Sequence, residues 1–559
     1  KYTYLNQTGN KNIMDQQYWY YNYNGNDATG EINNYEYTSA FQNLLASAFI
    51  TTDLQKDFGV NIPLRTSTQL SFDYRNRETT SYISYGIGLP NYTPYNTSQA
   101  ASTYVARDYR EPFITYGYLV NQRFDYGTLG GISGGFRTDY SSAFGAASTP
   151  QTFPRGDAYL RVSELGIFKN SAISTTLEDF KLRAAYGEAG IQPRPFDRYI
   201  TLNTGVIGAG NAFFFPLTQS NPNLNVEISK ELEIGTDIGL NLGKNSAWLN
   251  NLNLSATYWK RSTDNAIFNV DAIPSSGVGT VKDNAFSLAS NGIQASLNAQ
   301  IYKDADWTWN FTVNFGKQSS EITAVRGGAE VVLTSAAGST GYILKAGEKI
   351  GQLYGYYGIH SLDAKLPDGT VAIAEADRGL YTVASNGWVV NKATKQAVAL
   401  PGQSSLGDPN PKFVGGLTTN VRYKAFDLQF QFTGNAGAKI VNTNNLLLGR
   451  QDGRLAESGA LKSALTSIIN DERTIPMDYY VESGDFLRIN NASFGYTLPV
   501  KGVFKRARIY VAGNNLAVFT KYTGYDPEVS VRNSPLTPGL DYSAYPKSRS
   551  FIFGVNANF

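Results

Sequence analysis

Arg549-Ser-Phe-Ile-Phe-Gly-Val-Asn-Ala-Asn-Phe559 is the closing stretch of the chain, and its side chains alternate in character. Period two is the side-chain period of a β-strand, so one face of the predicted strand is apolar. In a soluble sandwich this face would pack on a core. In an outer-membrane barrel it would face lipid, with the asparagines toward water. A chain that ends on an aromatic strand residue favours the barrel, because the ends of soluble domains are usually frayed and polar.

The same two-faced pattern recurs along the chain, and no helical period competes with it. It is clearest in stretches 64–75, 113–124, 130–140, 231–242, 252–258, 307–315 and 421–432. In the last of these the alternation changes phase at Lys424-Ala425, which predicts a tight turn between two neighbouring strands. Residues 1 to about 37 are polar and aromatic, and we interpret them as a strand followed by a long loop.

The composition fits long antiparallel strands with aromatic girdles. The 559 residues include 38 Tyr, 30 Phe and 54 Gly, with 17% charged residues. The mean hydropathy is −0.29. Barrel strands alternate, so a barrel can have the average hydropathy of a soluble protein. The sequence contains no run of 18 apolar residues that would predict a membrane-spanning helix.

Several kinds of chemistry are excluded or disfavoured by composition. The chain has no Cys and a single His, His360, which removes disulfides, thiolate catalysis and Cys/His zinc sites. The 48 Lys and Arg nearly balance the 46 Asp and Glu, so net charge does not indicate nucleic-acid binding. Glu233 and Asp237 share a strand face, as a pair of catalytic carboxylates could. Because they alternate with lipid-facing residues, we interpret them as charges that line the lumen of a barrel. We therefore predict no enzyme activity, no metal and no cofactor.

The predicted connections alternate between two kinds. The short ones are 53–59, 125–128, 243–251, 303–306, 423–427 and 501–505; the long ones are 76–110, 188–229, 262–290, 317–411, 434–484 and 520–547. Long loops at one rim and short turns at the other are the arrangement of outer-membrane barrels, whose turns are periplasmic. Phe559 is then expected near the periplasm. With segments of about 10 residues, the chain contains about sixteen strands.

Ten short motifs in order resemble the SusC/RagA branch of TonB-dependent outer-membrane transporters, which is found in Bacteroidetes. They cover about three quarters of the chain: Arg137-Thr-Asp-Tyr-Ser-Ser-Ala-Phe-Gly145, Phe153-Pro-Arg-Gly156, Leu182-Arg-Ala-Ala-Tyr-Gly-Glu-Ala-Gly190, Asn221-Pro-Asn-Leu-Asn-Val-Glu227 with Glu233-Ile-Gly-Thr-Asp237, Gly407-Asp-Pro-Asn-Pro-Lys-Phe413, Tyr423-Lys-Ala-Phe-Asp-Leu428, Asp485-Phe-Leu-Arg-Ile489, Gly495-Tyr-Thr-Leu-Pro499, Gly513-Asn-Asn-Leu516 and Tyr545-Pro-Lys-Ser-Arg-Ser-Phe551. The acidic stretch that many members carry is not present between Ser361 and Ser405, so no metal site is carried over.

The resemblance implies an all-β, transmembrane antiparallel barrel of about 22 strands with a plugged lumen. Sixteen strands account for only part of it. We therefore expect residues 1–559 to be the C-terminal part of the barrel domain, with the plug and the first strands outside this sequence. The implied function is import of large nutrients, oligosaccharide or oligopeptide. The implied partners are TonB, a SusD-like surface lipoprotein, the barrel assembly machinery and outer-membrane lipid, in a possible dimer of transporter–lipoprotein pairs.

Two sets of residues are candidates for contacts. Aromatic side chains in the predicted extracellular loops are expected to meet ligand or a partner, since rings offer contact area at little entropy cost; they could equally be girdle residues or loop core. They are Trp19, Tyr20, Phe213, Phe214, Phe215, Tyr354, Tyr356, Tyr357 and, less strongly, His360. The resemblance assigns the final strand to barrel assembly and closure through Phe551, Phe553, Val555 and Phe559.

Two other functions remain open from the sequence. About sixteen strands is also the size of a porin, so a passive channel is an alternative to energised import. A structural or adhesive surface barrel is another. Gly208-Ala-Gly210 is only a fragment of a dinucleotide-binding loop, and we interpret it as loop glycine.

Overall fold

The computed structural model describes most of the chain, and most of the described residues lie in strands. The described residues are 2–14, 31–87, 100, 102–144, 150–208, 210–243, 246–272, 274–328, 330–334, 341–366, 369–384, 387–394, 397–448, 476–499, 503–530, 537–542 and 544–559. Among them, no helix is both long enough and apolar enough to cross a bilayer.

One antiparallel sheet contains the sixteen long strands. Their bounds are β1 Tyr2–Met14, β2 Glu31–Asp53, β3 Leu64–Ile87, β4 Ser102–Tyr126, β5 Gly130–Ser141, β6 Gln151–Arg161, β7 Leu177–Ile191, β8 Glu227–Leu240, β9 Trp248–Asp271, β10 Thr280–Lys303, β11 Trp307–Val325, β12 Phe413–Tyr423, β13 Phe426–Ala436, β14 Phe486–Leu498, β15 Arg506–Thr520 and β16 Ser550–Asn558. Each strand pairs with the next one along this series. The predicted strand number is confirmed. A two-residue strand, Thr218–Gln219, joins β10 in parallel as a seventeenth member.

The sheet has one apolar and one polar face, and the register keeps them separate across the strands. Leu254 of β9 pairs with Leu297 of β10, which pairs with Val313 of β11. The neighbouring positions on the other face carry Ser255, Ser296 and Asn314. Because side chains alternate along a strand, a slip of one residue would exchange these faces. We call these surfaces the apolar face and the polar face.

The apolar face is exposed in the structure although it carries large hydrophobic side chains. Ile234, Tyr258 and Phe494 are about half exposed, and Phe553 is 81% exposed. An exposed apolar surface of this extent is expected only where lipid or another apolar partner covers it.

Short connections lie at one rim of the sheet. They are 54–63, 127–129, 162–176, 241–247, 304–306, 424–425 and 499–505. The tight turn predicted at Lys424-Ala425 is confirmed: Tyr423 pairs with Phe426, and Lys424 adopts a φ of 53°. The connection 162–176, which contains short helical turns, was not predicted.

Longer connections dominate the other rim, but three predicted loops are wrong in extent. β3 continues to Ile87 and β4 starts at Ser102, so most of the predicted loop 76–110 is strand. β9 and β10 likewise extend into 262–290 and leave only 272–279 between them. β2 starts at Glu31, inside the predicted loop at 1–37. Beyond the apolar band both faces of a strand can be polar, so hydropathy no longer alternates and the strand is not recognised.

The short elements lie mostly in these connections. The α-helices are Leu54–Phe58, Gly166–Lys169 and Thr443–Leu448; the 3₁₀ helices are Ser142–Phe144, Val162–Glu164, Ala172–Thr175, Pro274–Ser276, Arg326–Gly328, Glu375–Leu380 and Met477–Tyr480. The further short strands are Asn203–Ile207, Gly210–Phe214, Val331–Thr334, Gly341–Leu344, Leu353–Gly355, Tyr381–Val383, Val389–Asn391, Ser404–Gly407, Lys439–Asn442, Val481–Ser483 and Leu540–Asp541.

The largest buried hydrophobic cluster is formed by connections rather than by the sheet. It joins segments 326–412, 437–485 and 521–549 through the buried side chains Tyr342, Leu353, Leu406, Val441, Met477, Tyr480 and Leu540. Burial of this many large side chains gives the connections a core of their own. The long-loop rim is therefore a folded surface on which side chains can be held in fixed positions.

Candidate functional site

Charged side chains lie along the polar face from β3 to β9, and many of them form ion pairs with one another. The Asp73 carboxylate is buried between two guanidinium groups, 2.7 Å from Arg75 and 3.2 Å from Arg137. Arg137 also lies 2.7 Å from Asp139. Such pairs offset the cost of removing charge from water, and loss of one partner would leave the other uncompensated.

The pairing continues on the next strands. Arg123 lies 3.0 Å from Asp125 and 3.1 Å from Asp157. The Tyr159 hydroxyl donates to Asp125 over 3.1 Å. These contacts join side chains of β4 and β6 into one arrangement on the polar face.

The carboxylates considered for catalysis in the sequence belong to the same arrangement. Asp237 lies 3.3 Å from Arg183, and Arg261 is paired with Glu231. Arg183 also donates to the Thr257 hydroxyl over 2.5 Å. The structure thus places Asp237 and Glu231 in ion pairs, and Glu233 lies on the same face of β8 between them.

The polar face changes character from β9 to β13. There it presents mainly amide and hydroxyl groups: Asn253, Ser255, Thr257, Gln294, Ser296, Asn298, Asn310, Thr312, Asn314, Thr418, Asn420, Gln429, Gln431 and Thr433. These groups both donate and accept hydrogen bonds without carrying charge. They suit a polar, uncharged ligand or water.

A cavity of about 860 Å³ lies against this face. Its lining runs from Arg183 on β7 to Phe486 on β14 and includes Glu528 from the connection 521–549. A flat sheet would separate β7 from β14 by about 34 Å, since neighbouring strands lie about 4.8 Å apart. A shared cavity therefore indicates that the sheet curves round its polar face.

At the long-loop rim, His360 holds two connections together. Its Nε2 atom lies 2.9 Å from Oδ2 of Asp478, and its Nδ1 atom lies 3.2 Å from the Gly387 carbonyl oxygen. The imidazole also lies 4.6 Å from the Trp388 ring and 5.8 Å from the Tyr357 ring, centre to centre. Trp388 is buried, whereas His360 and Tyr357 remain exposed.

The predicted residues at 354–360 thus lie together, but not all face solvent. Tyr354 and Tyr356 are half-buried. The Tyr356 carbonyl oxygen accepts from the Met477 backbone N–H over 2.7 Å. Tyr357 and His360 remain the surface members of this group, which we call the His360 cluster.

Phe213, Phe214 and Phe215 lie in and beside a hairpin formed by Asn203–Ile207 and Gly210–Phe214. Phe213 is 74% exposed, and the nearby Leu217 is 86% exposed. Phe214 packs over Gly205 of the opposite strand and so supports the hairpin itself. Phe213 and Phe215 lie on the opposite face of the chain from Phe214, and we call the surface of Phe213, Phe215 and the nearby Leu217 the apolar hairpin surface. Among the described residues, no ring contact joins it to the His360 cluster.

Trp19 and Tyr20 lie outside the described residues. The sequence prediction missed three members of the rim: Trp388, Asp478 and Tyr479. Trp388 is one of only six tryptophans, and Met477-Asp-Tyr-Tyr480 is a compact aromatic motif. Those were the available signals, but neither indicates which segment packs against His360.

The final strand pairs with β15 through Val555–Ile509 and Phe553–Val511. Phe551, Phe553 and Val555 therefore continue the apolar face, as predicted from their alternation. Phe559 lies beyond the strand, and its ring is 5.0 Å from that of Phe504 in the short turn before β15.

Comparisons with known proteins agree with this architecture. The family model described as TonB dependent receptor-like, beta-barrel matches residues 2–516. TonB-dependent receptor P3 of Formosa agariphila is 30% identical over 459 residues, which are 76% of this chain and 43% of the relative. TonB-dependent receptor SusC of Bacteroides thetaiotaomicron is 24% identical over 466 residues, 76% of this chain and 41% of the relative. The structure of the RagAB peptide transporter matches with a TM-score of 0.72 and 18% identity, over 95% of this chain and 56% of that chain.

A two-faced antiparallel sheet with short turns at one rim and folded loops at the other defines an outer-membrane β-barrel protein. The chain belongs to the TonB-dependent receptor β-barrel family. The family predicted from the motifs is thereby confirmed, and it is one of receptors and transporters. The chain spans less than half the length of the curated relatives that it matches. The apolar face is the lipid face, the polar face lines the lumen, and the long-loop rim is extracellular.

Proposed function

We propose that this chain forms the wall and outer surface of an importer for large nutrients, oligosaccharide or oligopeptide, driven through TonB. The observation that carries the proposal is the paired arrangement of lumen charges beside a neutral, amide-rich lumen wall. An ion pair attracts a passing polar ligand less strongly than the same two charges would if they were separate, so the pairing of many wall charges suits passage of such a ligand. The matches to SusC and to RagAB support import as the class of activity.

We also propose that a SusD-like lipoprotein covers the extracellular rim. The apolar hairpin surface supports this, because exposed apolar patches on a loop mark sites of protein contact. Phe213 lies in a paired hairpin, and Phe215 and Leu217 follow that hairpin directly along the chain. The exposed rings of the His360 cluster offer a second contact area for ligand or lipoprotein.

We propose further that strands outside this sequence complete the barrel next to β16, and that a plug fills the lumen. Phe553 is 81% exposed, whereas Ile509 on the neighbouring β15 is 43% exposed. The higher exposure agrees with a strand edge that awaits a partner, since an unpaired edge is not stable in lipid.

Energised uptake in cells tests the importer. Cells carrying the full-length transporter should take up labelled oligosaccharides or oligopeptides, and a protonophore should abolish that uptake. A passive channel would continue to equilibrate the same ligands after the protonophore is added. Uptake that is insensitive to the protonophore would therefore contradict energised import and support a passive channel.

Substitutions in the apolar hairpin surface test the lipoprotein contact. Phe213→Ser with Phe215→Ser should lower recovery of a co-expressed SusD-like lipoprotein with the full-length transporter, while Phe214 keeps the hairpin packed. Ile167→Ser is a matched control, because Ile167 is 80% exposed but lies at the short-turn rim. Equal recovery with all these variants would remove the hairpin from the interface.

A further inference from the structure

Trp259 is an aromatic side chain on the lumen wall. It lies on β9, where it pairs with Glu233 of β8 and Gly292 of β10. A methyl group added at Gly292 would lie 2.6 Å from the indole Cε2 and Cζ2 atoms. The Lys317 carbonyl oxygen of β11 would lie equally close to that methyl group, so the indole and the neighbouring strand together fill the space above Gly292.

A second contact restrains the same ring. The Arg261 guanidinium lies 5.5 Å from the indole centre, and Arg261 is itself paired with Glu231. Cation–π contact and the close fit over Gly292 restrict the indole to one position. A ring fixed in advance loses little entropy when a ligand packs against it.

The indole borders the cavity of about 860 Å³, where hydrogen-bonding groups surround it. Those nearest in the sheet are Glu233, Thr257, Gln294 and Ser296. An aromatic surface beside amide, hydroxyl and carboxylate groups matches the two sides of a sugar ring. The C–H surface of the sugar packs on the indole, and its hydroxyls bond to the polar groups.

We propose that Trp259 and its polar neighbours form a lumen subsite for a sugar residue of a neutral oligosaccharide. This inference rests on the proposed import function and specifies its substrate class. Arg183, the cation in the lining, is already paired with Asp237, so the site offers no free positive charge to an acidic ligand. A peptide backbone is a weaker match, because its recognition usually uses an exposed strand edge and the strands of this subsite, β8 to β10, are paired on both sides.

Calorimetric binding to the purified full-length transporter tests the subsite. The probes are neutral α-glucan, β-glucan and mannan oligosaccharides, with uncharged oligopeptides for comparison. Trp259→Ala should weaken binding of a recognised oligosaccharide by about tenfold, the value of one good aromatic contact. Trp259→Phe should retain most of the affinity, since a ring remains above Gly292.

Further variants keep the result interpretable. Gly292→Ala should weaken the same binding, because its methyl group would meet both the indole and the Lys317 carbonyl oxygen; a combined Trp259→Ala and Gly292→Ala variant should then bind no more weakly than Trp259→Ala alone. Trp309→Ala is the matched control: Trp309 lies on the lipid face, where its Nε1 donates to Thr419 over 2.9 Å. It should leave oligosaccharide affinity unchanged.

Several outcomes would overturn the subsite. They are unchanged oligosaccharide affinity in Trp259→Ala, a loss confined to peptides, or a fall in thermal stability without any change in affinity. The last would mean that the indole supports another part of the protein. Failure of the import function would give a different result: uptake would be insensitive to the protonophore, while the Trp259 and Gly292 variants would still bind oligosaccharide more weakly than the unaltered transporter.

Discussion

His360 Nε2 lies 2.9 Å from Asp478 Oδ2, although 118 residues separate the two along the chain. The other carboxylate oxygen of Asp478 accepts from the Gly358 backbone N–H, also over 2.9 Å. The Asp478 side chain is only 9% exposed, while His360 is accessible. The buried Asp478 carboxylate thus joins connection 326–412 to connection 437–485.

Asp478→Ala is expected to loosen this junction. It leaves the Gly358 N–H and the imidazole without their acceptor, and a buried unpaired donor costs about 1–3 kcal/mol. Hydrogen exchange across residues 354–360 should accelerate by about 5- to 150-fold. Asp363→Asn is the control, because Asp363 is largely exposed and pairs with Arg378 in the same connection. Equal exchange in both variants would contradict the role of Asp478.

Gly358→Ala should disturb the His360 cluster by a different route. An added methyl group would lie 1.5 Å from Cζ3 of the buried Trp388, so the indole would have to move. Overpacking of this kind typically costs about 1–3 kcal/mol. The expected results are altered tryptophan fluorescence and faster proteolysis within 341–412. Gly379→Ala, in the same connection with open space around it, should show neither; a normal digestion pattern for Gly358→Ala would refute the packing argument.

The strands were predictable because lipid and water impose opposite demands on alternate side chains. That is why 307–315 and 421–432 were recognised, and why the turn at Lys424 could be placed from a single change of phase. The same reasoning failed at Ile87 and Asp271, where the strands continue beyond the apolar band. There the partner strand, and not hydropathy, determines the conformation.

The extracellular site was only partly predictable for a different reason. Tyr357 and His360 stand in one aromatic segment, so local composition identified them. Trp388 and Asp478 join them through contacts between distant segments, which a single sequence does not encode in any local pattern. Trp259 was overlooked because aromatic residues are common in barrel strands. The sequence alone does not distinguish an aromatic residue that contacts ligand from one that belongs to an aromatic girdle.

Tyr480 is expected to ionise late in an alkaline titration. Burial raises the pKa of Tyr480 to about 12. In the unfolded chain a tyrosine has a pKa of about 10, so the folded state favours the neutral phenol. The contribution to stability is complete below pH 10 and declines by up to about 3 kcal/mol as the pH rises to 12.

Phenolate absorbance can follow this titration in the folded protein. Tyr480→Phe should remove one late-ionising group and reduce the loss of stability between about pH 10 and 12. If the late part survives Tyr480→Phe in full, then Tyr480 is not its source.

Ile234→Lys tests the assignment of the two faces. Ile234 lies on the lipid face near the middle of β8 and pairs with Tyr258. A lysine there should cost about 2–4 kcal/mol if it lies at the bilayer midplane. Asn298→Lys, on the lumen face of β10, should cost much less. Urea unfolding of the full-length barrel in lipid vesicles compares them, and equal losses would contradict the assignment.

Phe559→Ala tests whether Phe559 acts in barrel assembly or only packs against Phe504. The Phe559 ring contacts Phe504, with 5.0 Å between ring centres, so either Phe559→Ala or Phe504→Ala removes the same contact. Only the first removes the aromatic residue that directly follows β16. If the assembly machinery reads that residue, Phe559→Ala lowers the amount of heat-modifiable, folded barrel in the outer membrane and Phe504→Ala does not. The two purified variants should unfold in urea at similar concentrations, because they lose one ring contact each. Equal depletion of both from the membrane would assign the effect to packing of the periplasmic turn and leave Phe559 without an assembly role.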